Sequence, residues 1–134
     1  MTKEQLAALA KDAMAKAYSP YSDYRVGAAL LCKDGSVYTG CNVENASFSA
    51  TNCAERTAFF KAVSEGKREF SAIAICGGKS GVIERVVPPC GVCRQVMREF
   101  CKDDFEIHLL TQEGIETYTL QQLLPVSFAP DNLR

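Results

Sequence analysis

Apolar positions in the first part of the chain recur at helical spacing. Leu6, Leu9, Ala10, Ala13, Met14 and Ala17 follow a Thr2/Gln5 capping-box pair, which predicts a first helix from about Lys3 to Tyr18. Pro20 disfavours helical geometry at Ser19, so the stretch to Tyr24, with Tyr21 inside it, is expected to be a loop. The period then changes. Val26 to Cys32 is a short apolar run, Asp34-Gly35 is a tight-turn signal, and Val37 to Val43 resumes a strand-like pattern, together predicting a β-hairpin. Glu44 to Thr51 is small and polar apart from Phe48 and reads as a loop leading to Asn52, a favourable helix N-cap. A second helix is predicted from Cys53 to about Glu65, with Ala54, Ala58, Phe59, Ala62 and Val63 as its apolar stripe and Gly66 closing it.

Phe70 to Cys76 has the look of a buried third strand, ended by Gly77-Gly78. The Gly78-Lys79-Ser80 that follows is not a phosphate loop, because that motif needs a glycine where Ile73 stands. Pro88-Pro89 interrupts regular structure and leads into a third helix from Gly91 to about Phe100. Glu106 to Leu110 and Ile115 to Thr119 are expected as strands four and five. Leu120 to Leu124 follows as a short helix before an apolar tail from Pro125 to Pro130. The order α, β, β, α, β, α, β, β, α predicts an α/β fold, a three-layer α/β/α sandwich with a five-stranded mixed sheet, formed by one domain spanning residues 1–134. If the crossovers around helices two and three are of the usual parallel kind, both helices begin at the same edge of the sheet. Cys53, Cys90 and Cys93 then meet at the carboxyl ends of strands, where open α/β sheets commonly place their ligands.

Composition narrows the partners. With 134 residues the chain is long enough to bury a core without a disulfide or a metal simply to fold, and its formal net charge is −1. Lys67-Arg68 is the only adjacent basic pair, so a nucleic-acid substrate is disfavoured. No apolar run approaches the roughly 18 residues of a membrane span, and no apolar leader begins the sequence, so a cytoplasmic protein without membrane contact is expected. Seven cysteines, an odd number in such a chain, argue for reduced thiols rather than structural disulfides.

Those thiols carry the candidate chemistry. Cys90 and Cys93 can chelate one metal from the first turn of a helix, and Cys53 opens the other helix; both positive helix ends favour thiolates. Three thiolates exceed the charge of one Zn²⁺, and Arg56, one turn beyond Cys53, is placed to compensate that excess from just outside the ligand set. A closed structural site needs a fourth protein ligand, which Cys76 could supply; a redox-active thiol pair is the remaining alternative. Glu55, two residues after Cys53, favours an open catalytic site in which a carboxylate relays the proton of an activated water.

Cys53-Ala54-Glu55-Arg56 together with Pro89-Cys90-Gly91-Val92-Cys93-Arg94-Gln95 resembles the zinc-dependent cytidine deaminases, in the form with three cysteine ligands. Tyr18-Ser19-Pro20-Tyr21-Ser22, Val26-Gly27-Ala28-Ala29, Gly40 to Ala46 and Leu123-Leu124-Pro125 resemble the small free-nucleoside branch of that family, so the likeness spans nearly the whole chain. The resemblance implies a cytidine deaminase-like fold and one Zn²⁺ per subunit on Cys53, Cys90 and Cys93. It also implies Glu55 as the proton carrier in hydrolysis of cytidine and 2′-deoxycytidine to uridine, 2′-deoxyuridine and ammonia. Asn42, Val43, Glu44, Ala54, Tyr24 and Phe128 would contact the nucleoside, with Asn42 and Glu44 on the ribose hydroxyls, where a carboxylate suits a neutral sugar and repels a phosphate. Two positions depart from the family pattern: Tyr24 stands where Phe is common and Phe48 where Tyr is common, and both keep a ring face. Phe128 matches the tail aromatic that reaches a neighbouring subunit's pocket in a homotetramer. His108 is expected to be an ordinary strand residue, and Cys32, Cys41 and Cys101 small buried apolar groups. Two rivals remain: a deaminase of another aminopyrimidine nucleoside such as blasticidin S, and a zinc-stabilised binding module without catalysis.

Overall fold

Thr2 caps helix α1 (Lys3–Met14) in the predicted way: its hydroxyl accepts from the Gln5 amide at 3.1 Å, and the Gln5 side chain accepts from the Thr2 amide at 2.9 Å. In this computed structural model, which describes residues 1–134, α1 ends at Met14, short of the expected Tyr18. The Tyr18 backbone has another partner: its N–H donates to the Asn42 carbonyl at 3.0 Å and its carbonyl accepts from the Glu44 N–H at 2.8 Å. A residue pinned to a strand extension on both sides cannot continue a helix.

The sheet contains β1 (Tyr24–Cys32), β2 (Val37–Cys41), β3 (Phe70–Lys79), β4 (Glu106–Thr111) and β5 (Gly114–Thr119), in the order β2-β1-β3-β4-β5. β1 is antiparallel to both its neighbours, β3 is parallel to β4, and β5 is antiparallel to β4. Hence β2, β3 and β4 all run the same way. Helices α2 (Ala54–Ser64) and α3 (Gly91–Phe100) each follow one of these parallel strands and start at the same edge, as the crossover argument requires; α4 (Leu120–Leu123) and a 3₁₀ turn at Pro130–Leu133 complete the regular structure. β1 starts two residues before, and β3 ends three residues after, the expected limits, because Tyr24, Arg25 and Val26 pair with Lys79, Gly78 and Gly77. β2 stops at Cys41 rather than Val43, but Val43 still bridges Tyr18 on one side and Asn52 on the other.

Side-chain alternation divides the core into two layers. α2, α3 and α4 cover one face with Phe59, Met97 and Leu120 against Ala28, Leu30, Ile73, Ile75, Ile107 and Leu109. α1 covers the other with Leu6, Ala7, Ala10 and Met14 against Ala29, Ala72, Ala74 and Cys76. Phe59 is fully buried and meets Phe70 edge-on with ring centres 5.1 Å apart. On both faces a glycine admits a helix directly onto strand backbone. A Cβ at Gly27 would lie 2.1 Å from the Ala10 carbonyl oxygen of α1, and one at Gly40 would lie 2.4 Å from the Ala54 carbonyl oxygen of α2. The second contact presses the first turn of α2 against β2 and thereby places the thiol and carboxylate that the turn carries. No helix is long and apolar enough to cross a membrane.

Candidate active site

The two helix starts present the three thiols. Cys53, rather than the expected Asn52, is the N-cap of α2: the Asn52 backbone is tied to Val43 by two hydrogen bonds of 3.0 Å, so the helix begins one residue later. Asn52 instead donates its side-chain amide to the Thr57 hydroxyl at 3.1 Å, and that hydroxyl donates to the Cys53 carbonyl at 3.2 Å. Cys90, delivered by the buried Pro89, is the N-cap of α3, and its sulfur accepts from the Cys93 amide at 3.4 Å. The Sγ atoms of Cys53, Cys90 and Cys93 all lie within 4.8 Å of one another, with Cys53 and Cys90 at 3.9 Å. Sulfurs at about 2.3 Å from a tetrahedral zinc stand about 3.8 Å apart, so these donors fit the ion with at most a small contraction. Cys76, considered as a fourth thiol, lies on the opposite face of the sheet against the Met14 sulfur and so stands apart from the other three. All seven cysteines are free thiols.

Charge in the cluster is unevenly held. The Arg56 guanidinium donates from Nη2 to the Cys53 sulfur at 3.2 Å. Hydrogen bonds from the Cys93 thiol and from Arg56 hold the Cys53 thiol down at about 5, while Cys93 keeps its proton well above the usual thiol range. Burial works against the Arg56 charge, but its hydrogen bonds to the two cysteines outweigh this and raise its affinity for the proton. Glu55, in the first turn of α2, is only 4% exposed. Burial pushes its carboxyl up to about 7, helped by the Cys53 charge and opposed by its own backbone N–H. A carboxylic acid that exchanges its proton near neutrality, beside three sulfurs able to hold a metal, can both take a proton and return it.

The remaining predicted residues lie as follows. Ala54 has its methyl buried in the core; at the first helical position its N–H has no partner within the helix. Asn42 is buried and tied to the strand beside it: its Oδ1 accepts from Val26 N at 2.9 Å and its Nδ2 donates to the Tyr24 carbonyl at 2.7 Å, leaving one amide hydrogen free. Val43 is exposed. Glu44 accepts through Oε1 from the amides of Tyr21 at 3.0 Å and Ser22 at 3.1 Å, and through Oε2 from the Ser22 hydroxyl; that hydroxyl bond, chiefly, lowers its proton affinity. Tyr24 is exposed beside this loop. Phe48 is 76% exposed on a single 3₁₀ turn and packs edge-on against Tyr21 with ring centres 6.2 Å apart. Tyr21, Ser22, Glu44, Phe48 and Thr51 line a cavity of about 340 Å³. Phe128 lies on the tail, 60% exposed, away from any core.

Three features departed from or exceeded the sequence reading. Cys41 is half-buried rather than buried, its thiol 3.5 Å from the Lys16 carbonyl, whereas Cys32 and Cys101 are buried as expected. His108 is buried, with Nδ1 2.8 Å from the Thr117 hydroxyl, a partnership across β4 and β5. Ser22, Arg94 and Gln95 had no assigned role. The first orients Glu44, and the other two hold the tail; the only sequence signal was that all three stand inside or beside the quoted motifs.

Residues 1–109 match the family model described as the cytidine and deoxycytidylate deaminase zinc-binding region. The chain is 49% identical over 134 residues to the cytidine deaminase of Sporosarcina psychrophila, covering 99% of this chain and 96% of that one. It is similar to the crystal structure of cytidine deaminase from Burkholderia pseudomallei, with a TM-score of 0.88 at 47% identity over 96% of this chain and 100% of the other. The blasticidin-S deaminase of Bacillus cereus is more distant, at 31% identity over 109 residues, 78% of this chain and 77% of that one.

Proposed function

This chain belongs to the cytidine and deoxycytidylate deaminase family, and on that premise we propose that it hydrolyses free cytidine, and 2′-deoxycytidine with it, to the uracil nucleoside and ammonia. The observation that carries the reading is the juxtaposition of a buried carboxyl poised near neutrality, Glu55, with three thiols grouped for one metal. Cys53, Cys90 and Cys93 would hold one Zn²⁺, which when bound would supply the Lewis acidity that makes water a nucleophile near neutral pH. Glu55 takes a proton from the attacking water as the water oxygen bonds to C4 of the base, and passes it to ring N3. It then carries the second water proton to the amino group, so that the C4–N bond breaks, ammonia leaves and the C4 carbonyl forms. Arg56 offsets the excess charge of the thiolates by its hydrogen bond to Cys53.

The sugar is held by Asn42, through its remaining amide hydrogen, and by Glu44, whose carboxylate is aimed by Tyr21 and Ser22. A fixed negative charge there accepts from ribose hydroxyls and repels a 5′-phosphate, which favours nucleosides over nucleotides. The Ala54 amide and the Val43 backbone contact the base side, and Tyr24 supplies a ring face. Residues 1–134 act as one catalytic domain. Exposed Phe48, Val92 and Phe128 are large apolar groups that a further copy of the chain would cover, and a homotetramer in which Phe128 walls a neighbour's site accounts for them. The setting is cytoplasmic pyrimidine salvage, with no nucleic acid or membrane as partner.

The test is the ultraviolet change on mixing the purified protein with cytidine, repeated after metal chelation and with cytidine monophosphate. Metal-dependent loss of the cytidine spectrum that spares the monophosphate is expected. No reaction by zinc-loaded protein would refute the assignment and direct the assay to blasticidin S.

A further inference from the structure

Two neighbouring side chains directly after Cys93 reach across to the C-terminal segment. The Arg94 guanidinium spans two carbonyls at once: Nε donates to Pro89, immediately before Cys90, at 2.7 Å, and Nη1 donates to Leu123, at the end of α4, at 2.6 Å. Gln95 donates from Nε2 to the Phe128 carbonyl at 2.9 Å. Between these two anchor points the chain turns through Val126, which has a φ of 50°. That is left-handed geometry in a β-branched residue, which persists only where its surroundings over-determine it. The Val126 side chain is fully exposed and contributes no packing to hold that geometry, whereas the anchors stand on either side of it. Beyond Phe128, the Ala129 amide is capped by the Asn132 side chain at 2.8 Å, so the held span is short and bounded at both ends.

We propose that Arg94 and Gln95 are positioning residues that clasp the C-terminal segment to the helix carrying Cys93, and so set where Phe128 is presented. The proposal rests on the reading of Phe128 as a wall of the nucleoside site. Arg94 acts at the Pro89–Cys90 end, where its planar fork locks the loop that delivers the second thiol to the turn that ends α4. Gln95 acts at the Phe128 end alone. The same turn of helix that binds the metal therefore orders the aromatic wall, and loosening Gln95 detaches the wall without touching a metal ligand.

The experiment compares Gln95→Glu, which keeps the size but loses the donor, with Phe128→Ala and the double variant, all as zinc-loaded full chains. Hydrogen–deuterium exchange at the hydrogen-bonded Leu124 and Ala129 amides of the segment, zinc content, kcat and KM for cytidine are measured. Gln95→Glu is expected to speed exchange of that segment about tenfold and to raise KM about three- to tenfold, the loss expected from one hydrogen bond, with kcat and zinc content unchanged. The double variant is expected to be no worse than Phe128→Ala. Arg94→Lys, which keeps the charge but cannot span both carbonyls, is expected in addition to speed zinc loss to a chelator. Unchanged exchange in Gln95→Glu, or KM effects that simply add, would overturn the proposal. If Phe128→Ala leaves KM unchanged while Gln95→Glu still frees the segment, the binding role of Phe128 is refuted and the clasp survives only as a structural device.

Discussion

Gly40 supports a quantitative test of how the fold places the chemistry. A methyl group there would stand 2.4 Å from the Ala54 carbonyl oxygen, 2.6 Å from the Ala58 nitrogen and 3.0 Å from the Thr57 Cβ, where ordinary contact begins at 3.4 Å. Two of these neighbours are helix backbone and cannot swing aside, so Gly40→Ala must move the first turns of α2 away from β2 by about 0.6 to 1 Å. Overpacking of this kind costs about 1–3 kcal/mol, which for a chain of this size lowers Tm by roughly 4–12 °C. The same turn carries Cys53 and Glu55, and a displacement of about 1 Å at reacting groups can cost on the order of 100-fold in rate. Gly27→Ala is the control. Its methyl would meet α1 backbone at 2.1 Å and 2.4 Å, an equally severe contact on the face of the sheet away from Cys53, Cys90 and Cys93. Thermal unfolding, zinc stoichiometry and kcat are measured below the transition of both variants. Both are expected to lose stability, but only Gly40→Ala to lose zinc or kcat by tenfold or more. A Gly40→Ala protein with wild-type kcat and metal content, or equal losses of kcat in the two variants, would refute the claim that this contact positions the site.

Glu55→Gln keeps the size of the side chain but removes the proton carrier; it is expected to fold and hold zinc while losing about 10²–10⁴-fold in kcat, and retained activity would remove Glu55 from the mechanism. Arg56→Ala leaves the Cys53 thiolate without its 3.2 Å partner, so zinc loss to a competing chelator should accelerate; unchanged metal retention and rate would exclude Arg56 from the site. Ser22→Ala removes one of the three donors on the exposed Glu44 carboxylate and should raise KM for cytidine by at most about tenfold with kcat unchanged, as a titration of initial rates would show. His108 is held neutral by burial, with Glu106, Glu4 and Lys3 as the charges around it, and its folded proton affinity lies below the ordinary value of 6.5. The unfolded chain then binds the extra proton first, so stability is complete above about pH 6.5 and falls as the pH drops below it; His108→Gln should flatten that slope in urea melts at pH 5 and pH 7.

Much of this was legible in the residues because the determinants are local. The Thr2/Gln5 cap, the Asp34-Gly35 turn, the periodicity of Ala54 to Ala62 and the Pro88-Pro89 break each act over a few positions, and the elements formed where those signals stand. The Cys/Glu/Cys-x-x-Cys spacing likewise anticipated that the three thiols meet, since helices that follow parallel strands must start at one edge. The limits of α1, β2 and α2 were not legible. They depend on Tyr18, Val43 and Asn52 pairing across the chain, a long-range contest for backbone hydrogen bonds that the local pattern does not encode. Nor could spacing reveal the burial that lifts Glu55 to about 7, the Ser22 hydroxyl on Glu44, or the reach of Arg94 and Gln95 to the tail. The residue types and their order therefore determined which chemistry the protein can carry. Tertiary structure alone decided its proton affinities and orientation, because desolvation and hydrogen-bond partners belong to the assembled environment and not to the neighbouring residues in sequence.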